Sequence, residues 1–309
     1  MSAAPSPTRC AVAARARRDP LPATAGPAQR LMLIELNGPW GHDALRDSRL
    51  DRYHSGRLAD RAAAAGVRVQ LIRRPGRHAV PEAARPTGAP GVLGAAVALA
   101  DLRPGHEAVG WRTWHEPHHL LEVDLAAPVI AEGPQDVVLV CTHGRHDLCC
   151  ALDGRPVAAR LAERGDADVW ETSHLGGERF AANMLVLPTG DLFGGLDPDD
   201  AARVLTSFRA GRIDLAHHRG RFGRPPVEQA AVFQVMDRLG IDSRDVVRVV
   251  EVRQVEEHRW SVDLAVASPQ PTHRVVLRDR WSDPERLTCA AASPGRVRLF
   301  DPESYSALG

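Results

Sequence analysis

The chain begins its periodic part with a strand-like, a helix-like and a second strand-like segment. The first strand-like segment is residues 30–37, which are mostly apolar and end at Gly38-Pro39. The helix-like segment is residues 44–65, which are amphipathic and stop before Gly66, and the second strand-like segment is residues 67–72. A strand–helix–strand unit predicts parallel pairing within an α/β domain. Two later runs, residues 106–114 and 119–125, predict further strands that pair antiparallel.

The same kind of pattern starts again after a short polar connector at residues 131–135. The predicted elements are strands at 137–141, 168–171 and 184–187 and helices at 155–164, 198–209 and 226–239. The last part of the chain changes to period-two patterning, which predicts antiparallel strands at 244–253, 259–266, 273–278 and 286–291.

These patterns divide the chain into four predicted parts. They are a disordered tail (1–30), an N-terminal α/β domain (31–130), a second α/β domain (136–240) and a C-terminal antiparallel β extension (241–309). The tail is rich in Ala, Pro and Arg and lacks the apolar segment of a signal peptide. The longest apolar run, residues 91–102, is too short for the roughly 20 residues of a membrane helix, and we interpret it as a buried helix.

Composition excludes several classes of function. Acidic and basic residues balance at 39 each, whereas a protein that binds nucleic acid by neutralising phosphates has a basic excess. All basic residues are Arg, since the sequence contains no Lys, so a lysine Schiff base and a P-loop are excluded. The five cysteines are few and odd in number, which indicates reduced thiols in the cytoplasm rather than a secreted disulfide framework.

Three of the cysteines lie in the motif CTHGRHDLCC, residues 141–150. Cys141 ends a predicted strand and Cys150 lies just before a predicted helix, and ligands collect at such strand-to-helix loops in α/β proteins. The helix N-terminus favours thiolate over thiol. Thiolates are the ligands that iron–sulfur clusters and zinc require, so this loop is a candidate metal or cluster site.

A second loop, SHLGGERF at residues 173–180, also follows a predicted strand directly. It places His174 and Glu178 four positions apart, and its paired glycines permit close approach of the backbone. Four other histidines are interpreted as solvated loop residues: His143, His146, His217 and His218.

These two motifs together resemble the sucrase/ferredoxin-like family of thioredoxin-fold [2Fe–2S] proteins. The resemblance rests on CTHGRHDLCC followed by VWETSHLGGERFAANMLVLPTGDLFGG, with ELNGPWGHDAL and LIRRPGR upstream and RGRFGRPPVEQAA downstream, and covers roughly residues 31–300. It implies a thioredoxin-like ferredoxin domain over residues 136–240 and an N-terminal domain that is a second, degenerate thioredoxin-like unit.

The resemblance also implies the cluster ligands. The cysteine pair is Cys141 and Cys150, and the third ligand is His174. A His-ligated member has a second histidine where this chain has Glu178. Three resolutions compete: Glu178 binds the cluster, Cys149 replaces the histidine, or the fold persists without a cluster. Imidazole in place of thiolate raises the reduction potential of a cluster.

Three functions compete at these residues. The leading one is one-electron transfer or redox sensing with a redox partner protein, without a membrane or nucleic-acid partner and without a substrate pocket that would mark an enzyme. The second is a dithiol oxidoreductase in which Cys149 or Cys150 attacks disulfides, although a C-x-x-C motif is missing. The third is a structural zinc site on Cys141, Cys150 and His174. A Rieske protein is rejected because a second C-x-x-H box is absent.

The N-terminal domain offers two less specific features. One is a set of aromatic residues, interpreted as either core and surface aromatics or a partner surface: Trp40, Trp111, Trp114, His115, His118 and His119. The other is an Arg-rich segment, interpreted as either an anion site or a solvated basic loop: Arg73, Arg74 and Arg77.

Overall fold

The computed structural model describes residues 8–76 and 94–308. The helices are α1 (Cys10–Arg17), α2 (Arg52–Ala64), α3 (Pro117–Glu122), α4 (Leu148–Arg164), α5 (Pro198–Arg209) and α6 (Pro226–Leu239), with a 3-10 helix at Glu178–Phe180. The strands are β1 (Arg30–Glu35), β2 (Val67–Arg73), β3 (Ala95–Asp101), β4 (Ala108–Trp114), β5 (Val137–Cys141), β6 (Asp168–Thr172), β7 (Met184–Leu187), β8 (Asp191–Phe193), β9 (His218–Arg221), β10 (Val247–Glu256), β11 (Arg259–Val266), β12 (His273–Trp281) and β13 (Arg298–Ala307). No helix in these ranges is both long enough and apolar enough to cross a bilayer.

Nine of the strands form one mixed sheet in the order β4-β3-β1-β2-β6-β5-β7-β8-β9. The pairs β1/β2 and β5/β6 are parallel, as a helix crossover between them requires, and the other pairs are antiparallel. This confirms the predicted α/β class and both strand–helix–strand units. The predicted division into domains stays a prediction, because the sheet runs without a break across the connector at residues 131–135.

The two halves of this sheet repeat one arrangement. In the first half, β1 lies between its parallel partner β2 and the antiparallel β3, and β4 follows β3. In the second half, β5 lies between its parallel partner β6 and the antiparallel β7, and β8 follows β7. The halves join through β2 and β6, whose antiparallel register pairs only Ile72 with Thr172 and Arg73 with Glu171. The loop that follows β6, which starts at Ser173, therefore begins close to the joint.

Strand β5 is buried on both faces of the sheet. Val138 and Val140 pack with Val157 and Leu161 of α4, whereas the side chains of the opposite face belong to a buried cluster that also includes apolar residues of β1 in the other half. A continuous apolar strand of this kind is expected where helices and neighbouring chain cover both sides of the sheet. Burial therefore holds the end of β5, where the first motif begins, in a rigid position.

A separate sheet, in the order β10-β11-β12-β13, is antiparallel throughout and confirms the predicted C-terminal β extension. Helix α6 covers one of its faces, with Val227, Ala231 and Val235 packed against Val262 and Leu277. Its fourth strand is β13, so the strand predicted at 286–291 is wrong.

Several other predictions differ from the structure at identifiable residues. The tail predicted as disordered contains α1, because Cys10, Ala11 and Ala14 form a buried face on that helix, and residues 1–7 of it lie outside the described residues. The strand predicted at 119–125 is wrong, since α3 begins with Pro117 in its first turn and His119 Nδ1 accepts the Glu116 N–H at 3.2 Å.

The run at residues 91–102, predicted as a buried helix, contains strand β3 instead, and residues 91–93 lie outside the described residues. The helix predicted at 44–65 begins only at Arg52, where the Asp51 carboxylate accepts the His54 N–H. Strands β8 and β9 had no counterpart among the predicted elements.

Candidate metal centre

The candidate centre lies where β5 and β6 end side by side. Cys141 is in register with Thr172 in this parallel pair, so the loops that follow the two strands start together. Helix α4 begins earlier than predicted, at Leu148, because the buried Asp147 carboxylate caps it by accepting the Cys149 N–H at 2.8 Å. Cys150 is therefore in the first turn of the helix rather than before it.

The structure brings three of the predicted residues together. The Cys141 and Cys150 thiols and an imidazole nitrogen of His174 all lie within 4.8 Å of one another. Both thiols are buried, with 1% exposure each, and His174 is half-buried. These three residues form a group of soft donors that could hold a metal ion.

Helix α4 approaches the end of β5 closely because it has a glycine at the point of contact. A Cβ atom at Gly154 would lie 2.0 Å from the Cys141 carbonyl oxygen, far inside contact distance. The missing side chain lets the helix lie against the strand end, which keeps Cys150 near Cys141.

The two buried thiols are electrostatically unequal. A hydrogen bond from Cys150 holds the pKa of the Cys141 thiol well below its usual range, with a further contribution from His174, while burial opposes this shift. The same hydrogen bond, together with burial, raises the pKa of Cys150. Cys141 is thus the member of the pair that carries the negative charge, as a metal ligand must.

Glu178 lies beside the group and contacts two histidines. Its Oε1 is 3.0 Å from His146 Nε2 and 3.3 Å from His174 Nε2. Burial opposes ionisation of this carboxyl group, yet the hydrogen bond from His146 and the charge of His174 lower its pKa to about 2. The hydrogen bond to Glu178 raises the pKa of His146 in return.

His146 is a site residue that the sequence analysis missed. It is half-buried rather than a solvated loop residue, and its ring stacks on that of His174 with centroids 3.8 Å apart. The prediction is wrong for His143 as well, which is buried with its Nε2 2.6 Å from the Gly41 carbonyl oxygen. The one available signal was that both histidines share the ten-residue motif with the cysteines.

The Nδ1 atom of His174 is a donor without a hydrogen-bond partner among the described residues, as is Nδ1 of the neighbouring His143. In His174 this atom is buried, whereas Nε2 faces Glu178. A histidine that directs one nitrogen to a carboxylate and leaves the other for a metal is the usual arrangement of a metal-binding imidazole. The residues present therefore fit a metal group.

Cys149 does not join this group, contrary to the prediction that it could complete the ligand set. Its thiol lies with those of Cys10 and Cys289 and with the Asp147 carboxylate, all within 4.8 Å of one another. Cys149 and Cys150 are also both buried, at 0% and 1% exposure, which leaves no open thiolate for attack on a disulfide substrate.

The centre borders a cavity of about 490 Å³ that is lined by residues of both halves of the sheet. His146 and His174 line it together with His42, Arg68 and Gln70. The imidazoles are consequently the part of the centre that faces the outside, while the two thiols face the core.

The aromatic and Arg-rich features of the N-terminal half take part in the joint between halves. Trp111 stacks on Trp170 with ring centroids 5.7 Å apart, and Trp40 meets the edge of His143 at 5.9 Å. These contacts agree with the interpretation that the aromatic residues are core and surface residues rather than a partner surface. His118 and His119 contact each other near α3, and Trp114 is buried.

The arginines predicted as an anion site or a basic loop are instead paired with acids across the joint. Arg73 is buried and its Nε lies 2.8 Å from Glu171 Oε2, and Arg74 pairs with Asp168. Arg77 lies outside the described residues. The prediction of solvated residues is also wrong for His218, whose Nε2 is 3.0 Å from the buried Asp191 carboxylate, and His217 is half-buried.

Comparison with known proteins identifies the family. The family model described as sucrase/ferredoxin-like matches residues 21–220, which begins before the predicted 31–300 and ends earlier. No curated protein and no solved structure matches the chain. The matched residues include both halves of the nine-stranded sheet and the whole group of Cys141, Cys150 and His174. The chain belongs to the sucrase/ferredoxin-like family.

Proposed function

We propose that this protein is a one-electron redox protein that holds a [2Fe–2S] cluster on Cys141, Cys150, His174 and His146. The observation that carries the proposal is the meeting of two buried thiols and an imidazole at the ends of adjacent parallel strands. Such a cluster, when bound, accepts and donates single electrons. Membership of a ferredoxin-like family supports the same function.

The chain's own residues supply the two kinds of donor on two sides. Cys141 and Cys150 supply thiolates from the core side, where burial excludes water from the sulfur atoms. His174 and His146 supply imidazoles from the cavity side, where their side chains are 22% and 28% exposed. A mixed donor set of this kind raises the reduction potential above that of all-thiolate ferredoxins.

We assign Glu178 the role of a carboxylate that orients the two imidazoles. It contacts the Nε2 atoms of both histidines, and a hydrogen-bonded carboxylate fixes ring orientation and raises the basicity of a ligand histidine. A carboxylate oxygen is also a poorer match than imidazole for cluster iron. Direct ligation by Glu178 remains the alternative to be tested.

The half-exposed imidazoles indicate where a redox partner protein would bind. They lie at the cavity between the halves, so a partner docked there reaches the centre without entering the core. The repeated strand order of the two halves supports the view that each is a thioredoxin-like unit, of which only the second carries cysteines. The five free thiols are consistent with a protein of the reducing cytoplasm.

One observation favours a second candidate, a structural zinc ion at the same residues. Ligand atoms around a tetrahedral ion with Zn–S bonds of about 2.3 Å lie roughly 3.8 Å apart, so donors within 4.8 Å could close on one ion. The donor geometry favours the cluster, because at this centre only three donors of the described residues converge on one point, whereas a structural zinc ion takes four protein ligands and a cluster divides its four ligands between two irons.

The test is anaerobic purification followed by analysis of iron, acid-labile sulfide and zinc. We expect about two irons and two sulfides per chain and a brown protein, with both lost in Cys141→Ser and both kept in Cys289→Ser, whose thiol lies in the other group. A titrated potential in the Rieske range, about −150 to +300 mV, is expected. The proposal fails if the wild type holds neither iron nor sulfide after reconstitution, and zinc bound at Cys141 instead would establish the second candidate.

A further inference from the structure

Three cysteines from distant parts of the chain meet at the start of helix α4. Cys10 is the first residue of α1, Cys149 is the second residue of α4, and Cys289 belongs to the segment between β12 and β13. The distance between the thiol sulfurs is 3.6 Å for Cys10 and Cys149, 3.4 Å for Cys149 and Cys289, and 3.5 Å for Cys10 and Cys289. The three sulfurs therefore form a nearly equilateral triangle.

A carboxylate completes this group. The two oxygens of Asp147 lie 3.8 and 3.7 Å from the Cys10 sulfur. Oδ1 accepts the Cys149 N–H at 2.8 Å and Oδ2 accepts the Cys289 N–H at 2.6 Å, so the backbone of two of the cysteines holds the carboxylate in place. Each oxygen keeps a further lone pair for an ion.

We propose that Cys10, Cys149, Cys289 and Asp147 bind one structural zinc ion, separate from the centre at Cys141, Cys150 and His174. Three thiolates with one oxygen donor form a tetrahedral set of the kind that zinc accepts. Bonds of about 2.3 Å from a tetrahedral zinc ion place thiolates roughly 3.8 Å apart, so the observed triangle has to widen by only a few tenths of an ångström.

The triangle fits an ion better than a disulfide. A disulfide has an S–S distance of about 2.05 Å, which would draw two sulfurs together and leave the third alone. All three sulfur pairs here are almost equally spaced, which is the arrangement that a single central ion requires. The proposed site thus uses every thiol that the centre at Cys141 and Cys150 leaves over.

The surroundings balance the negative charge of such a site. Three thiolates and a carboxylate exceed the charge of a divalent ion, and arginines lie on several sides. Arg9 interacts electrostatically with Cys149 and Cys289, and Arg17 and Arg179 interact with Cys10. Arg286 donates a hydrogen bond to the Cys289 carbonyl and holds that segment in place.

The donor set indicates a structural rather than a catalytic ion, because four protein ligands leave no open position for a substrate. Burial agrees with this role, since Cys10 and Cys149 are fully buried, Asp147 is 2% exposed and Cys289 is half-buried. Two thiols of the site lie outside the matched residues 21–220, one on each side. The bound ion would link α1 and the segment that contains Cys289 to the first turn of α4.

The first test is zinc analysis of the full chain purified under reducing conditions and incubated with zinc. We expect one zinc per chain that is lost in Cys10→Ser and in Cys289→Ser and kept in Cys141→Ser, a matched cysteine variant in the other centre. Iron and sulfide are measured in the same samples, and the readout is the zinc content of the wild type minus that of the Cys10→Ser/Cys289→Ser double variant, because any zinc bound at Cys141 is present in both. A difference of one zinc per chain supports the proposal, whereas equal zinc contents, or no zinc in the wild type, overturn it.

Two further measurements keep the proposal testable if a variant fails to fold. Cobalt in place of zinc is expected to give thiolate charge-transfer absorption in Cys141→Ser, in which the other centre lacks a thiolate, and loss of that band in Cys141→Ser/Cys289→Ser with an unchanged circular dichroism spectrum supports the site. Thiols are also counted in denatured wild type without reductant; fewer than five reactive thiols in the zinc-loaded chain means a disulfide and overturns the proposal.

The structural role has its own readout in the wild type. Helix α1 carries Arg15 and Arg17, which trypsin cleaves only when the helix leaves its packed position. Chelation of zinc is expected to accelerate cleavage at these residues at least tenfold while leaving the rate at Arg280 in β12 unchanged. Equal rates of cleavage at Arg15 and Arg17 with and without the chelator would contradict the proposal that a bound ion holds α1 in place.

Discussion

Cys149 and Cys150 are consecutive residues of α4, yet their thiols belong to two different groups of side chains. The side chains of successive residues of a helix point about 100° apart. In the first turn of α4, the Cys150 side chain therefore points toward Cys141 at the end of β5, and the Cys149 side chain points toward Cys10 of α1. The vicinal pair is therefore neither a redox dithiol nor a pair of ligands to one metal group.

This separation predicts opposite effects of two neighbouring substitutions. Cys150→Ser is expected to remove iron and sulfide and leave zinc in place, whereas Cys149→Ser is expected to remove zinc and leave iron and sulfide. Metal analysis of the two variants in parallel measures both outcomes, and each variant is the control for the other. Loss of the same metal from both would show that the two thiols share one site.

The two candidates for the fourth ligand respond differently to substitution. His146→Ala is expected to abolish iron retention, because it removes a donor. Glu178→Gln is expected to keep the visible spectrum while weakening metal retention about 10–100-fold, the usual effect of losing a partner that orients a ligand. Timed loss of iron to a chelator measures both. If iron is lost from Glu178→Gln and kept in His146→Ala, Glu178 is the ligand.

The close contact of α4 with β5 predicts a large difference between two glycine substitutions. Gly154→Ala is expected to cost about 1–3 kcal/mol in the free energy of unfolding, since its Cβ would lie 2.0 Å from the Cys141 carbonyl oxygen and force the helix away. Urea denaturation measures this cost.

Gly56 of α2 provides the matched control. A Cβ there meets only the end of the Arg46 side chain at 4.0 Å, so Gly56→Ala is expected to stabilise the protein by about 0.5–1 kcal/mol through helix propensity. Equal and small effects at the two positions would mean that α4 can move without cost.

A buried ion group outside the centre predicts a pH-dependent stability. Asp191 is fully buried, with Oδ1 3.0 Å from both His218 Nε2 and Arg221 Nε. Burial opposes ionisation, but Arg221 and His218 hold the pKa of the Asp191 carboxyl group well below its usual range. Asp191→Asn is expected to cost about 1–3 kcal/mol at neutral pH, because Arg221 Nε and His218 Nε2 lose a buried charged acceptor while Arg221 keeps its pair with Asp245.

The sign of the pH effect follows from the lowered pKa of Asp191. The stabilisation is fully present above the unfolded value of about 3.9 and is lost as the pH falls through that value toward the folded one. Urea denaturation of the wild type and Asp191→Asn from pH 7 to 3 should therefore show a difference that shrinks below pH 4. Asp301→Asn, at a half-exposed pair with Arg280, is the control and should cost less than about 1 kcal/mol.

Local patterns were sufficient to predict much of the fold and part of the centre. Apolar runs located β1, β2 and β5 to β7, and the strand ends located Cys141 and His174. The pattern predicts the start of α4 too late because Asp147 lies in a polar segment, although an Asp before a helical segment is a helix-start signal.

Other features had no local signal. The short strands β8 and β9 depend on pairing with each other, and His146 is placed by its contacts with Glu178 and His174. The group of Cys10, Cys149 and Cys289 connects residues up to 279 positions apart, which no pattern along the chain reveals. Tertiary packing alone brings these thiols together.

The wide sequence separation of those three thiols has a consequence for biosynthesis. Cys10 and Cys149 are already in the chain when β5 and α4 form, but Cys289 is added only after β12 has been translated. Until then the first two thiols lack their third neighbour and Asp147 lacks the Cys289 N–H. A nascent chain that stalls before residue 289 therefore cannot complete this group, and α1 is then held only by its other contacts, such as the ion pairs of Arg9 and Arg15 with Asp153 of α4.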